Sequence, residues 1–303
     1  MTAIAAVITQ AGIAVTGSVV RVTGSGLGCP TWPQCFPGSL VPQPHPEVAT
    51  LHQWIEFSNR LLTGLVGLVG LACLVVALLV RPRRRRLILL AAAMPAGVMA
   101  QAVLGGITVL AGLAWWTVAM HFLVSMVLVW LAVLLVAAAT EGDARPRWYL
   151  PGPLRGLLLT ATVVLAAVLT AGTLVTSAGP HAGDTATPRL AVSVAALAQL
   201  HADLLVGFLG LLAGLGFALR AMAVPGGTWR RYLVLLCVVL AQGALGAVQY
   251  LTGVPEALVS LHVLGAALVV VAMGALWTGC RVRHEMRTVT AGSTRPLAGA
   301  GTT

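Results

Sequence analysis

Long apolar blocks separated by short polar connections dominate this chain. Eight of them can be drawn, at about 2–20, 55–80, 87–111, 118–139, 156–176, 192–219, 231–252 and 257–279. A helix needs roughly 20 predominantly apolar residues to cross the hydrocarbon of a bilayer. The pattern therefore predicts an all-α integral membrane protein of eight transmembrane helices. Small residues recur at helical spacing within it, Gly64, Gly67 and Gly70 in one half and Gly207, Gly210 and Gly214 in the other. Such stripes are expected to let helices approach closely.

Composition sharpens this reading. With 58% apolar residues, 9% charged residues and a mean hydropathy of +0.95, the chain has too little polar surface to coat a soluble globule of 303 residues. The net charge of +10 invites a nucleic-acid reading, but the placement of charge argues against one and for a lipid setting. Every basic residue is Arg. Most fall in alternate connections and the tail: Arg81 and Arg83 to Arg86; Arg145, Arg147 and Arg155; Arg220, Arg230 and Arg231; and Arg281, Arg283, Arg287 and Arg295. Arginine concentrated in alternate connections marks the cytoplasmic side. Both termini are thus expected in the cytoplasm of a cell in whose plasma membrane the chain is multi-pass, with the connections at 21–54, 112–117, 177–191 and 253–256 outside. Trp54, Trp115 and Trp116 then mark one interface and Trp148, Trp229 and Trp277 the other. The first segment lacks a basic n-region and reads as a retained helix rather than a signal peptide, barely long enough to span, which leaves a start upstream of Met1 open.

The second half repeats the first. Gln101, Leu104, Gly105, Leu110, Gly112 and His121 recur as Gln242, Leu245, Gly246, Leu251, Gly253 and His262, all at one offset of 141. Earlier helices match more loosely, Gly17 to Val20 with Gly172 to Val175, and Asn59 to Gly64 with His201 to Gly207. Each repeat holds an even number of helices, so both cross in the same sense and are related by an axis along the membrane normal. Two pseudo-symmetric four-helix bundles are expected, at 1–140 and 156–282, joined by a cytoplasmic linker at 141–155 and followed by a disordered cytoplasmic tail at 283–303.

Ionisable side chains inside a span mark function by default. His121, His201 and His262 lie toward the outer ends of helices four, six and eight and share a leaflet. A lone imidazole there more often hydrogen-bonds a neighbouring helix, but three at matched depth, two of them repeat-related, favour axial ligation of heme iron, with His201 and His262 as the obvious pair. Repeat symmetry asks for a fourth ligand on helix two, where Asn59 stands. An amide is a poor iron ligand, so the first-half site is left to His121 alone, to an open face, or to His52 nearer the interface. Glu56 and Arg60 flank Asn59 at i, i+4 spacing. An ion pair that makes both tolerable in lipid is one reading. Proton handling by Glu56 with a propionate contact from Arg60 is another.

Cys29 and Cys35, in TGSGLGCPTWPQC on the oxidising side, are expected as a disulfide, either a staple or a reducible pair. Cys73, Cys237 and Cys280 read as small packing residues.

The loop VRVTGSGLGCPTWPQC, the helix-two motif WIEFSNR, the third outer loop GPHAGD and the three histidines resemble bacterial heme A synthase, in an actinobacterial-like type with Asn in the helix-two motif. The resemblance runs to about residue 282. It implies an N-terminal bundle that receives heme O and a C-terminal bundle that carries heme b, ligated by His201 and His262. It also implies that His121 faces the substrate iron, that Glu56 is the important acid, that Asn59 and Arg60 touch substrate, and that Cys29 and Cys35 are paired. The implied reaction oxidises the C8 methyl of heme O to a formyl group, with heme O synthase and cytochrome oxidase assembly factors as expected partners. A bis-His cytochrome b that only transfers electrons and a transporter of parallel repeats are the rival readings. The second would call for helices broken at mid-depth, where Pro95 is the clear internal proline.

Overall fold

In lipid a chain segment must satisfy its own backbone N–H and C=O groups, which apolar runs of this length do by forming helices. The computed structural model describes residues 1–184 and 187–283. Its long helices are α1 (Thr2–Val22), α2 (Thr50–Leu79), α3 (Arg85–Leu110), α4 (Trp115–Thr140), α5 (Gly152–Ala178), α6 (Val194–Ala221), α7 (Gly226–Leu251) and α8 (Glu256–Gly279). All eight are long and apolar enough to cross a membrane. The protein is an all-α, multi-pass membrane protein. α2 begins earlier than the apolar pattern predicts, at Thr50, because its first turn is polar yet continues the helix. α3 runs unbroken through Pro95. Of the expected tail, residues 284–303 lie outside the described residues.

Two short strands, β1 (Arg147–Trp148) and β2 (Arg281–Val282), pair antiparallel with Arg147 opposite Val282 and Trp148 opposite Arg281. They tie the connection between the halves to the end of α8. Tyr149 N–H donates to the Cys280 carbonyl at 3.0 Å, and the Arg281 guanidinium lies over the Trp148 ring. Burial pushes the Cys280 thiol up to about 11. Trp130 and Trp148 both meet Trp277 edge-on, so at this end of the molecule these indoles are spent on packing.

The repeat is visible in backbone detail. α3 and α7 each end in a turn of two consecutive left-handed residues, Gly112 and Leu113 (φ 60° and 58°) and Gly253 and Val254 (φ 81° and 61°). The closing hydrogen bonds match as well, from Leu113 N–H to the Thr108 carbonyl and from Val254 N–H to the Gln249 carbonyl. Glycine at the first of the two avoids the Cβ penalty of that region.

Within the first half, α1, α2, α3 and α4 pack as a closed ring, each against the next and α1 against α4. In the second half α5 packs along α6 and α7 along α8, but α6 meets α7, and α5 meets α8, at only a few residues. The halves join where α1 and α4 pack on α8 and α4 on α5, around Ala11, Met126, Val129, Ala267 and Val270. Each half is densely packed toward its Arg-rich end. There Met94, Ala91 and Leu135 fill one bundle, and Phe208, Leu212, Leu235 and Met273 fill the other.

The glycine stripes divide accordingly. A Cβ on Gly70 would meet the Pro95 nitrogen at 3.0 Å and one on Gly67 would meet Val98 at 3.6 Å, so α2 and α3 do cross closely there, but Gly64 would meet nothing within 4 Å and is not a contact glycine. Gly207, Gly210 and Gly214 would meet nothing within 4 Å, which corrects the expectation that they are contact glycines: the separation of α6 from α7 leaves them facing outward. Cys73 and Cys280 are buried, but Cys237 is exposed on α7 and is not a packing residue.

Candidate functional site

Both bundles loosen toward the end that carries the disulfide, and the polar groups inside the spans collect at that end. Each histidine is set by the same local device, a glycine on the preceding helix. A Cβ built on Gly105 would meet His121 Cε1 at 3.4 Å, one on Gly172 would meet His201 Cε1 at 3.1 Å, and one on Gly246 would meet His262 Cε1 at 2.9 Å. A methyl group at Gly246 could not be accommodated without moving the ring, so glycine there is a steric requirement of the imidazole. Gln101 and Gln242 act as a second repeated device. Their Nε2 groups donate to the backbone carbonyls of His121 and His262, at 3.0 and 2.8 Å, and so fix the register of α3 on α4 and of α7 on α8.

His201 and His262 face each other with ring centroids 6.4 Å apart and planes inclined by 64°. Two metal–imidazole bonds of about 2.0 Å and two ring radii add to roughly 6.3 Å, the span of one metal ion held between two imidazoles. His201 Nδ1 lies 2.9 Å from the Val168 carbonyl, which fixes that nitrogen as the N–H donor and leaves the Nε2 lone pair for a metal. The Nδ1 atoms of His121 and His262 are buried without a hydrogen-bond partner. Buried imidazole nitrogens that the protein leaves unsatisfied fit a set of ligands better than a set of structural hydrogen bonds. No group of three or more His, Cys, Asp or Glu residues is placed to hold a bare metal ion among the described residues, so a macrocycle that brings its own equatorial ligands fits the donor set.

The first half departs from this at one quarter. Asn59 occupies the place that His201 has in the second half, and its Oδ1 accepts from the Thr16 hydroxyl at 2.7 Å. Gly17, counterpart of Gly172, has nothing within 4 Å of a built Cβ. The glycine is thus present without an imidazole beside it. His52 does not take that role: its Nδ1 is 2.8 Å from Ser25 Oγ, in the loop.

That loop, residues 23–49, is pinned to α2. Cys29 and Cys35 form the expected disulfide. Glu56 Oε2 accepts the Cys29 N–H at 2.7 Å, and Glu56 Oε1 pairs with Arg60 at 2.6 Å. Arg60 in turn donates to the carbonyls of Cys29, Thr31 and Gln34 at 2.8, 3.0 and 3.2 Å. Both residues are therefore spent on the loop as well as on each other, which goes beyond the simple ion pair. Gly28 lies so close to the His52 carbonyl, and Gly106 to the Trp32 ring, that neither could carry a side chain. Gly26 N–H donates to the Gly183 carbonyl, joining this loop to the connection between α5 and α6.

Sequence reasoning placed the three histidines, Asn59, Glu56, Arg60 and the cysteine pair in one region, and the structure brings them to one end. It missed Thr16 and Arg21, and it gave Gly17, Gly172, Gly105, Gly246 and the two glutamines no role at the site. The fixed spacing of Gly105 to His121 and of Gly246 to His262 was the available signal.

A family model described as cytochrome oxidase assembly protein matches residues 1–188. Similar proteins include the heme A synthase of Alkalihalophilus pseudofirmus, 34% identical over 154 residues, or 50% of each chain. The heme A synthase of Lysinibacillus sphaericus is 35% identical over 145 residues, covering 47% of this chain and 45% of the relative. That of Shouchella clausii is 46% identical over 68 residues, 21% of each chain. The matches to the first two of these span about half the length of those relatives.

Proposed function

Because the chain belongs to the cytochrome oxidase assembly protein family, we propose that it is a heme A synthase, a membrane oxidoreductase that oxidises the C8 methyl of heme O to a formyl group and so supplies heme A for terminal oxidase assembly. The observation that carries this reading is the asymmetry between two otherwise matched sites. Two imidazoles 6.4 Å apart stand in the second half, whereas in the first half the helix-two position matched to His201 is an amide, Asn59, held by the Thr16 hydroxyl.

In this reading His201 and His262 would hold heme b, which would supply electron-transfer chemistry. His121 anchors the iron of substrate heme O, and Asn59 faces the other side. Iron held in this way supplies redox chemistry at the bound tetrapyrrole. The chain's own residues supply position. Thr16 donates to Asn59 Oδ1, which leaves the Asn59 amide N–H groups to point away from α1 and to bind a polar group such as water or the hydroxyl of a partly oxidised substrate. Glu56 and Arg60 hold the disulfide loop across this end, limiting water and fixing the macrocycle so that one methyl is presented. A heme held by His201 and His262 would supply the acceptor for electrons released from substrate. The Arg-rich connections support an orientation in the plasma membrane with both termini in the cytoplasm and the disulfide outside.

An electron-transfer cytochrome would have no use for an open first-half face, so the asymmetry favours the enzyme. The test is heme analysis of cells that make heme O, with and without this chain. Heme A is expected only with it. Unchanged heme O in cells containing the intact, heme-loaded protein would refute the proposal.

A further inference from the structure

Arg60 is committed to the loop, and the other arginine at this end within a span is Arg21, in the last turn of α1. Its terminal nitrogen donates to the Thr176 carbonyl at 2.8 Å, while its Nε is buried with no partner. The neighbouring charge that acts on it is another cation, Arg189, whose own guanidinium is turned to the Gly179 carbonyl at 2.5 Å. Beside Arg21 a small recess, with room for about one water molecule, is lined by Leu113 of the turn before α4, by Trp115 and Val118 of α4, by Ser177 of α5, and by Thr187. The Thr187 hydroxyl is also buried and has no partner among the described residues, with the residue only 6% exposed. A shielded guanidinium with a spare N–H, a second cation beside it and an unused hydroxyl make an arrangement that an anion completes.

The placement of the recess says which anion. Arg21 stands one helical turn beyond Gly17 on α1, and Val118 just under one turn beyond His121 on α4. The recess therefore lies about one turn nearer the disulfide end than Gly17 and His121. We propose that Arg21, with Thr187, binds a carboxylate side arm of the tetrapyrrole held by His121, so that the substrate sits with its acid groups toward the disulfide end. This rests on the first-half site receiving a heme, and it adds the residue that sets the heme's orientation. The identity of the chemistry carried out there is not required.

The test compares heme in its free-acid form with the same heme as its dimethyl ester, titrated into purified protein whose second-half site is already filled. Wild-type protein is expected to bind the free acid about tenfold more tightly than the ester, the scale of one charge-assisted pair. In Arg21→Gln the free-acid affinity is expected to fall to that of the ester, while ester binding stays at the wild-type level and thereby reports an intact fold. Arg21→Lys should recover part of the preference, and Thr187→Val should lose a smaller part of it. If Arg21→Gln binds neither form, Arg21→Lys decides: recovery of the free-acid preference supports the proposal, and a lysine variant without it overturns it. Equal affinity of wild-type protein for acid and ester, or full discrimination by Arg21→Gln, also overturns it, since the recess would then hold only water or a small inorganic anion. A protein that discriminates between the two forms but makes no heme A leaves the carboxylate site standing while the enzymatic proposal falls.

Discussion

The two halves of this protein share a repeat, a turn geometry and a glycine behind each histidine, yet they differ in three respects that bear on function. The first half is a closed ring of helices with a disulfide-stapled loop pinned over one end and a single imidazole inside. The second is splayed between α6 and α7, has no such staple, and brings two imidazoles together with their planes inclined by 64°. One template thus yields a pair of facing helices with two imidazoles between them and a bundle end covered by a loop, which the proposed function reads as a site closed by ligands and a site closed by a loop. The difference teaches that the chemistry resides in the departures from symmetry, at Asn59, at the loop and at Arg21.

The largest expected effect comes from erasing the ligand pair. His262→Ala should abolish the low-spin bis-imidazole signal and lower bound heme from two per chain to one, read by heme-to-protein stoichiometry. Retention of both hemes would show that the 6.4 Å pair is not a ligand set. Glu56→Ala removes the acceptor of the Cys29 N–H and strands Arg60. Breaking a buried pair in this way costs about 3–5 kcal/mol, so thermal unfolding in detergent should shift down and first-half heme binding should fall while the second-half signal persists. A variant in which both sites weaken equally would count against assigning the loop to the first half alone.

Asn59→His tests the open quarter directly. The imidazole would enter the space beside Gly17, and first-half heme is expected to turn six-coordinate and low-spin, with heme A formation falling about tenfold or more as the face closes. An unchanged spectrum would mean that this quarter is not the counterpart of the His201 site. The smallest effects separate the packing of the halves. Gly70→Ala presses on the Pro95 backbone and should destabilise, whereas Gly210→Ala should stabilise by about 0.5–1 kcal/mol through helix propensity alone. Equal responses in unfolding experiments would contradict the splayed second half.

The span pattern made the helices legible because hydrocarbon thickness sets their length, and positional identities at one offset made the repeat legible. The depth of His121, His201 and His262 followed from counting along helices. Tightness of packing did not, since Gly70 and Gly210 are indistinguishable as letters and differ only in whether a neighbouring helix arrives. Glu56 and Arg60 read as an intrahelical pair because spacing reveals partners one turn away, and the loop carbonyls that also engage Arg60 lie 26 to 31 residues distant. Arg21 was invisible for a related reason: its significance depends on what is missing around it.

Arg21 and Thr176 occupy equivalent positions in the two repeats, and they touch. Equivalent positions that meet lie near the pseudo-twofold axis, where a true dimer of identical halves would drive two guanidinium groups into one place. A single chain escapes this by writing the second copy differently. The arrangement of one buried cation where the two halves meet is therefore open to a fused duplicate and closed to a homodimer, and fusion is what gives the molecule a left and a right.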